Sequence, residues 1–182
     1  MELQKQIIKA AEELFKTEGL QFTMQDVAEA LHISKKTIYT VYSSKETLLT
    51  DMIDDLFYDI HNVKAEIAAS EKSIEDRIRA VIVALPEQYM AIDFRMLDTL
   101  EEKYPNAASR VKEHLETNWE PTIALIEEGM AVGCIRPVPI PVLKKMITAS
   151  IECFLSGEKT DSGYADTLEA MIDIIMNGIT VK

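Results

Sequence analysis

Cysteine is nearly absent from this 182-residue sequence, and the two present, Cys134 and Cys153, stand in apolar stretches with no CxxC or Cys/His spacing. A disulfide framework and a zinc site are therefore not indicated, and both thiols read as reduced core residues. Glycine and proline fall mostly between periodic segments, and β-branched alternation is almost missing, which leaves little basis for a strand-rich fold. Long apolar runs are lacking as well. The longest, Ala80 to Leu85, is far short of the roughly 18 residues a membrane helix needs. The opening MELQKQIIKAAEEL is acidic and amphipathic, unlike a signal peptide, so a cytoplasmic chain with no membrane partner is expected. Positive charge is the last shortage: 19 Lys and Arg face 31 Asp and Glu, a net of −12 that at face value argues against a nucleic-acid partner.

What the chain does have is material for a core. Hydrophobic residues make up 47% and charged residues 27%, the balance of a globular protein and not of a disordered one. At this length a fold removes roughly 70% of the unfolded surface from water. Ile7, Ile8, Ala11, Leu14 and Phe15 form an apolar stripe at helical spacing, which Gly19 ends as a C-cap. Thr23 with Asp26 resembles a capping box, and Met24, Val27, Ala28 and Leu31 form the buried face of a second, short helix. Ser34 can cap a third, Lys35 to about Val41, with Ile38 and Val41 inward and Lys35, Lys36, Thr37 and Thr40 outward. Ser43 with Glu46 reads as another capping box, opening a long helix that carries Leu48, Leu49, Met52, Ile53, Leu56, Phe57 and Ile60. Further helices are predicted near 73–91, 93–103, 106–131 with Pro121 kinking or breaking it, 141–156 and 163–179.

Three short helices in the first 45 residues are the parts of a helix-turn-helix unit. A recognition helix needs donors and positive charge at its N-terminal end, where unpaired backbone N–H groups already attract phosphate. Ser34, Lys35, Lys36 and Thr37 supply that end. The charge divides by position. Residues 1–50 hold six Lys and Arg against seven Asp and Glu, a net of −1, which leaves 13 against 24, a net of −11, to residues 51–182. The window Ala30 to Lys45 contains Lys35, Lys36 and Lys45 and no carboxylate, so it offers a local basic face.

The segment Thr23 to Leu48, TMQDVAEALHISKKTIYTVYSSKETL, resembles the DNA-binding domain of the TetR family of transcriptional regulators. The likeness rests on Thr23, Val27-Ala28, Ser34 to Thr37, Tyr39 and Tyr42 three apart, and Ser44-Lys45-Glu46. It implies that Thr23, Tyr39, Tyr42 and Lys45 touch phosphates while Lys35, Lys36 and Thr37 lie in or beside the major groove of a double-stranded operator. Hydroxyl and ammonium donors suit those roles. Two positions depart from the family pattern: His32 stands in the turn where glycine is usual, a place that favours positive φ, and Lys36 stands where glycine is also common.

The resemblance further implies an all-α fold in two parts, a three-helix DNA-binding domain over residues 1–46 and a helical ligand-binding and dimerisation domain over residues 47–182. The last two helices carry wide apolar stripes, and the family pairs them in a homodimer. Met146, Ser150, Phe154, Leu168, Met171, Ile172 and Ile175 are the interface candidates. Tyr89, Met90, Phe94, Tyr104, Trp119 and Met130 are candidates for a pocket holding a small molecule of unknown identity, and Glu87, Asp93, Glu116 and Glu120 would favour a cationic or polar-ended one if they face inward. The expected function is a repressor that a ligand releases from its operator, with no cofactor, no metal and no enzymatic activity. Asp51, Asp55 and Asp59 read as a solvated acidic face, and His61 and His114 have no metal or catalytic partner at helical spacing. The competing readings are a helical interaction module that has lost DNA binding and, more remotely, an all-α enzyme.

Overall fold

The structure, a computed structural model, describes residues 2–89, 99–155 and 163–181. Its elements are α1 (Glu2–Glu18), a 3₁₀ turn (Gly19–Gln21), α2 (Met24–Ala30), α3 (Lys35–Val41), α4 (Lys45–Ala68), α5 (Ile74–Ile82), a second 3₁₀ turn (Glu87–Tyr89), α6 (Leu100–Lys103), α7 (Pro105–Glu116), α8 (Glu120–Val132), α9 (Ile140–Leu155) and α10 (Tyr164–Ile179). The chain is all-α. Among the described residues the one β contact is a single antiparallel bridge between Ile135 and Thr180, which ties the connection after α8 to the end of α10.

Several boundaries differ from those predicted. The cap of α4 sits one residue later than Ser43: Ser44 Oγ accepts from the Thr47 N–H (3.1 Å) and Thr47 Oγ1 accepts from the Ser44 N–H (3.2 Å). Glu46 is thereby free to accept from the Asn106 N–H at the first turn of α7 (2.8 Å). The helix predicted over 73–91 stops at Ile82, because Pro86 follows and the residues before a proline avoid helical geometry. The predicted 106–131 helix is two helices. Asn118 takes a left-handed conformation (φ 55°) between them, and Pro121 falls in the first turn of α8, where its missing N–H costs nothing. Of the predicted 93–103 helix, only α6 lies within the described residues.

Two apolar cores meet along α4. The first packs Ile7, Ala11 and Phe15 of α1 against Val27, Ile38, Leu48 and Met52, and takes in Tyr89, Leu100, Ala107 and Ala108. The second joins α5, α8, α9 and α10 through Ile78, Ile126, Ile135, Ile147 and Ile172. α4 gives Leu48, Leu49, Met52 and Ile53 to the first core and Ile67 and Ala68 to the edge of the second. No described helix is long and apolar enough to cross a membrane.

Candidate nucleic-acid interface and apolar cavity

The turn between α2 and α3 is built on backbone bonds that only a left-handed residue can close. Thr23 caps α2, accepting from Gln25 and Asp26 N–H while Asp26 accepts back from the Thr23 N–H at 2.7 Å. At the far end His32 has φ 55°, its N–H bonds Glu29 O (3.1 Å), and the Ile33 N–H bonds Ala28 O (3.0 Å), the paired bonds of a Schellman ending. Histidine tolerates this conformation better than most side chains, so the turn is kept without glycine.

α3 then starts at a well-formed cap. Ser34 Oγ accepts from the Thr37 N–H (3.1 Å) and lies 2.8 Å from Thr37 Oγ1. Ile38 is fully buried beneath the helix, and Ser34, Lys35, Lys36 and Tyr39 are exposed, Tyr39 to 46%. Thr37 is half-buried. Val41, expected inside, is exposed. Lys35 Nζ lies 6.0 Å from the Tyr39 ring centroid. Thr23 is exposed at the start of α2, and α3 carries no carboxylate.

Two residues expected on that face are turned away from it. Tyr42 is 4% exposed, and its hydroxyl donates to Asp51 Oδ2 on α4 (2.9 Å), which also accepts from Gln4 Nε2 (3.0 Å). Burial, and then the hydrogen bond to Asp51, push the phenol pKa up. Lys45 is half-buried: Nζ donates to Leu20 O (2.8 Å) and Phe22 O, and sits 4.0 Å from the Phe22 ring centroid. Its burial lowers the ammonium pKa to about 8. Tyr42 ties the end of α3 to α4 and Lys45 ties the start of α4 to the segment after α1, roles their types did not disclose.

On the acidic face of α4 Asp55 is exposed, while Asp51 and Asp59 are half-buried. Asp51 holds Tyr42 and Gln4, and Asp54 holds Arg110 (2.5 Å) and His114 Nε2 (2.7 Å). Tyr89 donates to Glu12 Oε1 (2.9 Å), with Asp59 Oδ2 at 3.5 Å. His114 stacks on Phe57 with ring centroids 4.4 Å apart. Its partners come from 57 and 60 residues away, beyond any local motif. Among the described residues no group of three or more His, Cys, Asp or Glu is arranged to hold a metal ion.

Deeper in the molecule, a cavity of about 110 Å³ opens between α4, α5, α7, α9 and α10. Ile53, Leu56, Phe57 and Ile60 of α4 form one wall, Ile82 to Leu85 another, and Ile151 and Leu155 a third. The polar members are Lys64 and Tyr164. None of the expected aromatic and methionine candidates among the described residues lines it. Tyr89 packs in the first core, Tyr104 lies beside Lys45, Trp119 is buried in the second core, and Met130 Sδ accepts from the Val138 N–H. Met90, Phe94 and Asp93 lie outside the described residues. The acidic candidates turn out as well: Glu87 and Glu120 are exposed, and Glu116 is bonded by Lys144 and Lys145.

Residues 7–52 match the model of the bacterial regulatory proteins of the tetR family. Over this segment the chain carries the helix-turn-helix domain of the tetR family of transcriptional regulators. Along 98% of its length it is 25% identical to the uncharacterized HTH-type transcriptional regulator YvaF of Bacillus subtilis (strain 168), covering 96% of that protein. A TetR/AcrR-family regulator from Thermobifida fusca shares the fold with a TM-score of 0.65 at 24% identity, each chain covered to 98%. A TetR-family regulator from Agrobacterium tumefaciens does so with a TM-score of 0.73 at 19% identity, over 98% of this chain and 97% of that one.

The last two helices divide their apolar residues differently from the expectation. Leu168, Met171 and Ile172 are buried in the second core. Ile175, Phe154 and Ser150 are half-buried, with Ile175 and Phe154 packed against that core. The outward apolar residues are Val142, Met146 (57% exposed) and Ile174 (75% exposed). Ile174 was missed because a wide stripe does not reveal which of its edges turns outward.

Proposed function

We propose that this regulator is a homodimeric repressor of the cytoplasm that a small molecule releases from a double-stranded operator. The observation that carries the reading is the N-terminal end of α3: a Ser34-capped helix presenting Lys35, Lys36 and Tyr39 to solvent, with no acidic residue between Ala30 and Lys45. Ser34, Lys35, Lys36 and Thr37 are the groove-facing residues, and Thr23 and Tyr39 the phosphate donors. Tyr42 and Lys45 hold this face in place from below. Residues 1–46 form the DNA-binding unit and residues 47–182 the ligand and dimer unit, with α4 running from one to the other.

The dimer forms through Val142, Met146 and Ile174 on α9 and α10, flanked by Ser150 and Ile175. Two copies of a short helix-turn-helix double the contacts and set a symmetric operator. Release follows by population shift. α4 lines the cavity with Ile53 to Lys64 and seats Leu48 to Ile53 in the first core, so a ligand that favours a different pose of α4 changes the separation of the two α3 helices. A coupling of about 1 to 3 kcal/mol would shift operator affinity roughly 5- to 150-fold.

The test is retention of a duplex spanning the promoter of its own or a neighbouring gene. Lys35→Ala with Lys36→Ala is expected to abolish retention at moderate salt while helical content stays unchanged. Undiminished binding by that double variant would remove α3 from the interface.

A further inference from the structure

The cavity's wall is apolar apart from Lys64 and Tyr164, and Lys64 is its one cation. Lys64 extends from α4 among Ile60, Leu115 and Leu168. Among the described residues no carboxylate pairs with its ammonium. Its charged contact is the face of Trp119, with Nζ 5.7 Å from the ring centroid. Burial alone lowers the Lys64 pKa, to about 8. An ammonium half-buried among apolar side chains, with no carboxylate beside it among the described residues, is partly desolvated, and an anion that makes a charge-assisted hydrogen bond to it offsets that cost.

We propose that the cavity binds a small apolar carboxylate, its acid group on Lys64 Nζ and its hydrocarbon body against Ile53, Leu56, Phe57 and Ile151 of α4 and α9. The size limit comes from the volume. At about 110 Å³ the space is somewhat smaller than the ~150 Å³ apolar cavity known to accept benzene, so the body is a short acyl chain or a single ring. The sign of the ligand is the reverse of that expected from the acidic residues of the middle helices, because Glu87, Glu116 and Glu120 face solvent while the lysine lines the cavity. The inference rests on the reading of the chain as a ligand-responsive regulator, and it deepens that reading by assigning the ligand class.

Isothermal titration with hexanoate, hexan-1-ol and hexylamine at pH 7 separates the possibilities. Trp119, the single tryptophan of the sequence, reports occupancy beside Lys64 through its emission. Hexanoate is expected to bind saturably, at least about tenfold tighter than hexan-1-ol, and hexylamine most weakly. Lys64→Met should erase the advantage of hexanoate while hexan-1-ol still binds, which also shows that the variant is folded. Lys64→Arg should retain the advantage. Equal affinity for the three probes, or hexanoate binding untouched by Lys64→Met, overturns the assignment of a carboxylate but leaves the cavity as a ligand site. Failure of all three probes to bind overturns both.

Discussion

His32 shows how a single residue can depart from a family pattern without breaking the turn it occupies. At φ 55° it closes the two bonds that end α2, a geometry in which a side chain is strained by about 1 to 2 kcal/mol relative to glycine. His32→Gly relieves that strain but gives the unfolded chain more freedom. Thermal unfolding of His32→Gly is therefore expected to show equal or greater stability, by up to about 1 kcal/mol, and His32→Val a clear loss; a destabilised glycine variant would mean that the imidazole itself holds the turn. Residue types along α3 were legible from the sequence because capping and the absence of acid are local properties. The fates of Tyr42 and Lys45 were not. Each ends a side chain that can swing to either of two surfaces, and the choice was made by Asp51 nine residues on and by the carbonyls of Leu20 and Phe22 more than 20 residues back.

Elements were legible where caps and periodicity agreed, as in α2 and α3, and misread where one residue interrupts a long apolar pattern, as Pro86 and Asn118 do. The contact of α5 with α8 depends on a feature that no periodicity reveals. Gly129 lets α8 lie close to α5: a Cβ there would stand 2.7 Å from Ile135 Cγ1, 3.2 Å from Ile78 Cδ1 and 3.3 Å from Ile74 Cγ2. Ile78 and Ile135 are buried and have little room to yield. Overpacking of about 1 to 3 kcal/mol then outweighs the ~1 kcal/mol that alanine gains over glycine in a helix. Gly129→Ala should lower the melting temperature by a few degrees, and a rise instead would mean the core reshapes freely. The cavity escaped prediction for a related reason. Its lining is drawn from five helices and consists mainly of aliphatic residues, which look in sequence like ordinary core, whereas aromatics such as Tyr89 and Trp119 attract notice and here pack in the cores.

At the scale of the whole molecule the net charge of −12 is compatible with DNA binding because it is distributed unequally, with residues 51–182 carrying nearly all of it. The structure narrows the basic face further, from three lysines to two, since the Lys45 ammonium is committed to backbone carbonyls. A dimer doubles those two. Weak attraction to non-specific sequence and a shallow response to salt are consequences of so small a cationic face on so acidic a body, because few phosphates are neutralised.

The most direct check on this account is the slope of log affinity against log salt concentration for the promoter duplex, measured for the wild type, Lys36→Ala and Lys45→Ala. With one phosphate or groove lysine removed from each of two subunits, Lys36→Ala should reduce the magnitude of the slope by about 2, while Lys45→Ala lowers thermal stability and leaves the slope unchanged. A slope indifferent to Lys36 and reduced by loss of Lys45 would contradict the interface described here.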